Sequence, residues 1–438
     1  MIRPTSRAVW LVAAGAPVAL LAVVVSPALW PLWSLWNVIV FTLILRDAFA
    51  MLRPGQLAVR VETPGALHVG RATAVAVHLT PDETAPTTRV ELLLDIDGEV
   101  APPASVSAVL DGGPVTTPID VLPLRRGAVH LTSLWLRWQG PTGLVARTRR
   151  LGPLGIVAPA LPDVLTVREA GLAWMQSRSY IQGVRPRRYL GDGSEFDTHR
   201  PYEPGFDPRA IDWKVSARMR SLHVRQHRAE RNHRVMLVVD TGRLMADPVH
   251  GLPRLDHAVN AGLLLAWLSL RTGDRVGLCS FDEAPGVYVD ASGGLRTMDR
   301  LVGAAAGLAY TDTETNFTRG LLALDERLRR RSIVVILTDF QDSTTAELMV
   351  ERVSAMARRH VLIFVAIRDP ALRSGLDAPP ASGQAINEAL VLDDLDRERR
   401  TVLRRLERAG VRCVDAEPDD VSARLINHYL EIKRRGAV

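Results

Sequence analysis

The sequence predicts a multidomain chain: an N-terminal transmembrane helical hairpin, a β-sandwich-like middle and a C-terminal α/β doubly wound domain. Three observations predict it. Between Arg7 and Arg46 lie 38 residues without one ionisable side chain. From Leu57 to about Val157, short runs of apolar residues are split by Pro and Gly. From His233 onward, apolar strand-length runs alternate with longer amphipathic ones. The expected boundaries are 1–55, 56–160, 161–232 and 233–438, and the third segment fits none of these patterns.

A bilayer-spanning helix needs about 20 apolar residues, so the charge-free run has room for two and is too long for one. Ser26-Pro27 and Pro31 sit mid-run, where a tight turn is expected, with helices near 8–25 and 32–50. Trp30, Trp33 and Trp36 suit an interfacial aromatic belt. Arg3 and Arg7 precede the run and Arg46 and Arg53 follow it. The positive-inside rule then places both ends, and the bulk of the chain, in the cytoplasm, with two spans in the inner membrane.

In the middle, LAVRVE (57–62), ATAVAVHL (72–79), RVELLLDI (89–96), AVHLTSLWLRW (128–138) and LVARTRR (144–150) read as strands of a small antiparallel sandwich. The fourth changes phase: Val129 and Leu131 share one face, whereas Leu134, Leu136 and Trp138 fall on the other. A β-bulge near Thr132-Ser133 explains that change. Asp95 and Asp97 are expected in a turn rather than as metal ligands.

The C-terminal pattern is strand (234–240), helix (254–273), strand (275–281), helices (296–308 and 318–330), strand (332–339), helix (346–359), strand (360–367), helix (396–410), strand (411–416) and helix (421–435). Apolar strands alternating with amphipathic helices make a mostly parallel sheet covered on both faces. Sites on such sheets lie at the carboxyl ends of strands, here Asp240, Phe281-Asp282 and Asp339.

Composition narrows the functional classes. The net charge of +6 comes almost wholly from Arg, since Lys214 and Lys433 are the only lysines. Between Arg185 and Arg234 there are twelve Lys/Arg against seven Asp/Glu, so this short stretch carries most of the surplus. The two cysteines, Cys279 and Cys413, exclude a disulfide framework, and their apolar surroundings predict buried reduced thiols. Walker A, G-x-G-x-x-G, His-Glu-x-x-His, paired-cysteine and nucleophile-elbow motifs are absent, so no catalytic residues are assigned. His223, His227 and His233 cluster in an Arg-rich stretch that reads as a solvated basic face.

Gly191 to Arg220 reads GDGSEFDTHRPYEPGFDPRAIDWKVSARMR. A solvated linker would be Gly/Ser/Pro-rich with few aromatics. This mixture instead predicts a buried or half-buried network in which arginines meet carboxylates. The segment resembles the signature of the prokaryotic "domain of unknown function 58" family at Gly191, Gly193, Glu195, Phe196, Arg200, Tyr202, Pro204, Gly205, Arg209, Ile211, Asp212, Trp213, Lys214, Ala217 and Arg218. It departs at Phe206, where the family has an acid. Glu195, Arg200, Tyr202, Arg209, Asp212, Trp213, Lys214 and Arg218, with Arg243, are expected either to clamp domains together or to face a partner.

The C-terminal pattern resembles a von Willebrand factor A domain, which that family carries at this place. The resemblance implies a divalent cation held by an Asp-x-Ser-x-Ser loop, a Thr and a second Asp. Here Asp240, Thr315 and Asp339 match, but Gly242 and Leu244 stand at the two serine positions. Two hydroxyl ligands are missing from a site for a hard cation, so no cofactor is expected beyond weakly held Mg2+. Arg243 adds a positive charge expected to pair with Asp240 or Asp339. Family resemblance further implies a MoxR-type AAA+ ATPase partner and a chaperone-like or assembly role, with the bilayer as the other partner and no specific nucleic acid. The competing reading is a membrane-tethered binder of anionic lipid or polyanion through residues 185–234.

Overall fold

The structure is a computed structural model describing residues 1–24, 30–83, 85–163, 190–203, 211–228, 233–294, 296–340, 343–370 and 383–435, with Thr166, Glu169 and Leu172. It is a mixed helix-and-sheet chain that divides into two units, Met1–Asp163 and Val164–Val438.

The first unit opens with β1 (Ile2–Pro4), α1 (Ser6–Ala13) and α2 (Gly15–Val24), followed by α3 (Trp30–Ala50). The apolar run from Trp30 to Gln56 is long and apolar enough to cross a membrane. Ser26-Pro27 lies outside the described residues, and Pro31 sits in the first turn of α3. Gly15 lets the helices meet closely, because a Cβ there would lie 2.7 Å from the Trp36 ring. The Trp36 indole N–H donates to the Leu11 carbonyl at 3.2 Å.

Among the described residues of this unit, ten strands form two sheets. β2 (Leu57–Glu62), β4 (Thr73–Pro81) and β7 (Val115–Val121) make one, in the order β2-β4-β7. The other contains β1, β3 (Leu67–His68), β5 (Thr88–Asp97), β6 (Val106–Leu110), β8 (Gly127–Gln139), β9 (Val145–Leu151) and β10 (Ile156–Leu161). Alternate residues are buried, as in Val75, Val77 and Leu79 or Val90, Leu92 and Leu94, which is the period-two pattern of a one-sided sheet. The predicted bulge is present: β5–β8 pairing steps from Asp95↔Ser133 to Ile96↔Leu131, leaving Thr132 as the extra residue. Asp95 lies in the strand rather than in a turn. Its carboxylate accepts from the Ser133 hydroxyl at 2.9 Å, and its carbonyl accepts from the Thr132 hydroxyl at 3.0 Å, pinning the bulge.

Both ends of the apolar segment grip one turn. Asp47, near the end of α3 and fully buried, accepts the amides of Thr142, Leu144 and Val145 at 2.8, 2.9 and 2.9 Å. Thr5, just before α1, donates its hydroxyl to the Gly143 carbonyl at 2.7 Å, and its own amide bonds the Leu144 carbonyl. A side chain on Gly140 would sit 2.5 Å from the Asp47 carboxylate.

In the second unit, β11 (Leu190–Pro201) pairs antiparallel with β12 (His223–Arg228) and encloses α4 (Trp213–Met219). The remainder is a six-stranded sheet of β13 (Arg234–Asp240), β14 (Arg275–Phe281), β15 (Pro285–Ser292), β16 (Ile333–Thr338), β17 (Val361–Ile367) and β18 (Arg412–Ala416). Its order is β15-β14-β13-β16-β17-β18, all parallel except the edge strand β15. The chain starts in the middle, winds to one edge, then returns and winds to the other. The switch point therefore lies between β13 and β16. Helices α5 (Arg254–Arg271), α6 (Arg296–Ala306) and α10 (Pro418–Arg435) bury one face of the sheet; α7 (Phe317–Arg327), α8 (Ser343–Ala357) and α9 (Gly383–Arg408) bury the other. The half-exposed β15 was not predicted, and α9 begins thirteen residues before the expected helix at 396.

At the amino-terminal ends of the strands, buried Asp274 accepts from Lys433 Nζ at 3.0 Å, the His233 amide at 3.1 Å and the Tyr429 hydroxyl, tying α10 to the sheet. His233 is thus a buried residue, 5% exposed, not part of a solvated basic face.

The clasp at Asp47 predicts a measurable cost. Asp47→Ala leaves three amides without their acceptor and should destabilise the first unit by about 3 kcal/mol or more, since hydrogen bonds to charged groups contribute ~1.5–3 kcal/mol each. Denaturant unfolding in detergent micelles reads this directly, and limited proteolysis should show faster cleavage at 140–144.

Candidate functional site

Asp240 ends β13 and Asp339 follows β16, so both stand at the switch point, where ligand sites of open α/β sheets form. The parallel register of Val239 with Leu337 brings the two strand ends level. Loop 310–315 closes over them. Thr311 donates to the Thr241 carbonyl at 2.6 Å, and the Arg243 amide bonds the Thr313 carbonyl at 2.8 Å. Asn316 caps α7 through the Arg319 amide at 3.0 Å, fixing the loop's far end.

The loop delivers Thr315 to Asp240. The Thr315 hydroxyl donates to Asp240 Oδ1 at 2.7 Å, and the Gly242 amide bonds the same oxygen at 2.8 Å. The Thr338 hydroxyl donates to Oδ2 at 2.5 Å. Asp240 is therefore closed on both oxygens and only 1% exposed.

Asp339 is neutralised differently. Its Oδ1 accepts from Arg399 Nη1 at 2.6 Å, and its Oδ2 lies 3.1 Å from Arg254 Nε. Arg399 also bonds Asp415 Oδ1 through Nε and Nη2, both at 3.1 Å, and its guanidinium lies 5.3 Å from the Phe340 ring centroid. Asp415 in turn meets Arg368, and Arg254 reaches Asp247 and Asp369. Burial alone would lower the Arg399 pKa, but Asp339 and Asp415 together hold it above its ordinary value.

The expectation that Arg243 pairs with one of these acids is corrected. Arg243 is exposed at the start of a short helical turn, and the arginines on Asp339 are Arg254 and Arg399. These two and Thr338 were missed. A faint signal existed: Arg254 shares a helical face with Ala258, Ala261 and Leu265, and Arg399 with Val402, Leu403 and Leu406, all buried.

These residues do not fit an ordinary Mg2+ site. Both Asp339 oxygens face guanidinium groups, both Asp240 oxygens accept from hydroxyls, and Leu244 offers no ligand. Gly242 has a steric reason: a Cβ there would lie 2.0 Å from Thr315 Oγ1. Serine at 242 would displace the Thr315–Asp240 bond.

The signature segment is assembled mainly by its backbone. The Asp212 carboxylate caps α4, accepting the Lys214 and Val215 amides at 3.0 and 3.2 Å. The Asp212 amide bonds the His223 carbonyl, the His223 amide bonds Ser216 Oγ at 2.9 Å, and the Tyr202 amide bonds the Leu222 carbonyl. Glu195 and Arg200 lie on β11 opposite Arg228 and Val224, and Arg209 lies outside the described residues. Trp213, Lys214 and Arg218 are exposed. The network expected to bury them is therefore corrected: Trp213 is 69% exposed, and no core site would be emptied by its removal.

Residues 198–384 match the protein family described as "Protein of unknown function DUF58". Uncharacterized proteins of Mycobacterium tuberculosis and Mycobacterium bovis are each 31% identical to this chain over 187 residues, 41% of this chain and 56% of the relative. The chain thus spans about half the length of the curated relatives it matches. Among solved structures, a conserved hypothetical protein BatB from Bacteroides thetaiotaomicron aligns with TM-score 0.31 at 14% identity, over 47% of this chain and 99% of that one. Proximal thread matrix protein 1 from the mussel byssus aligns with TM-score 0.26 at 10% identity, over 44% and 45%. Neither likeness is close enough to assign a fold. The DUF58 match runs from β11 through Asp240, Thr315 and Asp339, and stops before Arg399. Burial pushes both thiols, Cys279 and Cys413, up to about 12, which leaves neither as a nucleophile near neutral pH.

Asp240 supplies a pH test. Burial raises its pKa from 3.8 to about 6 against the opposing hydrogen bonds, and the Asp339 charge adds to the rise. A carboxyl whose folded pKa exceeds its unfolded value binds its proton more tightly when folded. Stability is then greatest below about pH 4, falls as pH rises to about 6 and stays at the lower level above it. The gap corresponds to about 3 kcal/mol. Asp240→Asn keeps the acceptor for Thr315 and Gly242 and should remove that slope. Unfolding of both proteins across this pH range measures the difference. Arg399→Met, which breaks a buried pair from one side, should cost about 3–5 kcal/mol at neutral pH.

Proposed function

We propose that the chain is a membrane-anchored, cytoplasm-facing protein-interaction module whose C-terminal domain is a degenerate von Willebrand factor A-like domain. The observation that carries this reading is the meeting of Asp240, Thr315 and Asp339 at the switch point, with Arg254 and Arg399 standing where a cation's charge would be needed. Internal guanidinium groups keep the loops assembled without a metal, so the top of the sheet presents a permanently formed surface. Exposed Arg243 stands beside it. Resemblance to the family adds a MoxR-type AAA+ ATPase as the working partner, in a chaperone-like or assembly role.

The anchor is proposed to be a two-span hairpin. Thr5 and Asp47, at the two ends of the apolar segment, bind the same turn at Gly143–Val145. This shared turn supports a reading in which both ends of the segment lie on one side of the membrane, and the flanking arginines favour the cytoplasmic side.

Two measurements test the reading. A purified MoxR-type AAA+ ATPase should capture the detergent-solubilised chain in an ATP-dependent manner, and Arg243→Glu should weaken capture about tenfold without lowering the melting temperature. Absence of capture with a folded chain would reject the partnership. Separately, Mg2+ at millimolar levels should leave the melting temperature of the native protein equal to that in chelator, whereas Arg399→Met, which frees one Asp339 oxygen, should melt higher with Mg2+ than without. A clear Mg2+ shift in the native protein would mean the arginines do not take the cation's place.

A further inference from the structure

The signature segment holds a surface that the partner reading leaves unused. Trp213, Met219 and Leu222 are 69%, 64% and 46% exposed, and Lys214, Arg218 and Arg220 around them are exposed as well. On α4, Trp213 and Ala217 form one i,i+4 pair and Lys214 and Arg218 an adjacent one, so an apolar stripe and a basic stripe lie side by side. The one acid among described residues 211–224 is Asp212, which is buried and caps the helix. The platform is held by backbone bonds from Asp212 to His223 and from Tyr202 to Leu222, and by the Ile211↔Val224 bridge. Exposed Glu203 follows Tyr202 at the platform's edge, and a fixed helix presenting an exposed Trp and Met beside three exposed cations is not arranged for core packing.

We propose that this surface, Trp213, Met219 and Leu222 with Lys214, Arg218 and Arg220, docks on the anionic lipid surface of the bilayer in which the chain is anchored. Trp favours the membrane–water interface, and Lys and Arg near it are attracted by acidic head groups. An apolar face beside a basic one is the pattern of helices that lie in that interface. The apolar run Trp30–Gln56 supplies the anchor. Tethering makes a second, weak membrane contact effectively intramolecular, so a small patch suffices. Single-stranded nucleic acid, the other polyanion, is bound through successive stacking aromatics; here one Trp stands with aliphatic Met and Leu. This inference rests on the membrane anchor and not on the ATPase partnership.

The test uses the full chain in lipid nanodiscs of phosphatidylcholine with and without phosphatidylglycerol. Amide hydrogen exchange of 211–224 should slow several-fold in the anionic discs only, and added salt should reverse the slowing. Trp213→Ser and the triple change Lys214→Gln, Arg218→Gln, Arg220→Gln should each abolish it while exchange in β13, β14 and β16 stays unchanged. Equal exchange in both disc types would overturn the proposal. So would slowing in neutral discs produced by an added oligonucleotide or by the purified ATPase, with no effect of phosphatidylglycerol, because the surface would then read a nucleic acid or a protein.

Discussion

Two carboxylates at the switch point of a parallel sheet repel one another, and the C-terminal domain is organised around their neutralisation. Asp240 and Asp339 end neighbouring strands and are almost wholly buried. Hydroxyls and an amide close over the first, whose proton is held more tightly than usual. Guanidinium groups from opposite faces of the sheet close over the second: Arg254 opens α5 on one face, and Arg399 lies on α9 on the other. Because Arg399 also holds Asp415 at the end of β18, the interaction spans from the centre of the sheet to its edge. Each member satisfies a charge that would otherwise be stranded in a low-dielectric interior, so the set is stable only when complete.

The same logic recurs at two other places. In the first unit, Asp47 exchanges the hydration of its carboxylate for three turn amides, and Thr5 binds the carbonyls of that turn. This makes the β8–β9 turn the fixture to which the apolar segment is attached. At the opposite ends of the strands from the switch point, Asp274 collects Lys433, Tyr429 and the His233 amide. Buried aspartates, each with charge-assisted or multiple donors, thus fasten the elements that sequence periodicity alone leaves unattached.

Much of the fold was legible because it follows from short-range periodicity. The strand at 234–240 is the run of apolar residues that a parallel strand buried on both faces requires. The bulge at Thr132 was visible as a change of phase between Leu131 and Leu134. Where periodicity is weak the reading failed. Strand β15 is an edge strand with Gly286 and Asp290 among its apolar residues, and half its pattern faces solvent. The first half of α9 carries Ile386, Leu390, Val391 and Leu395 exposed, so it has no single apolar face to mark it. Trp213 misled for a related reason: a large aromatic is usually buried, and only the placement of α4 reveals that this one is not.

For the candidate site, the sequence by itself determined the acids and their strands. Asp240 and Asp339 terminate apolar runs, and a residue at the end of a central parallel strand lies at the rim of the sheet whatever surrounds it. It also determined that Gly242 and Leu244, neither of which carries a side-chain ligand, stand in the loop after Asp240. Only the tertiary structure decided what meets those acids. Among 54 Lys and Arg, the choice of Arg254 and Arg399 depends on which side chains reach Asp339 after helices distant in the chain have packed. The glycine at 242 likewise became intelligible only with Thr315 in place, its Oγ1 2.0 Å from where a Cβ would stand. Charge pairing acts through space and is set by burial, and neither quantity exists until the chain has folded.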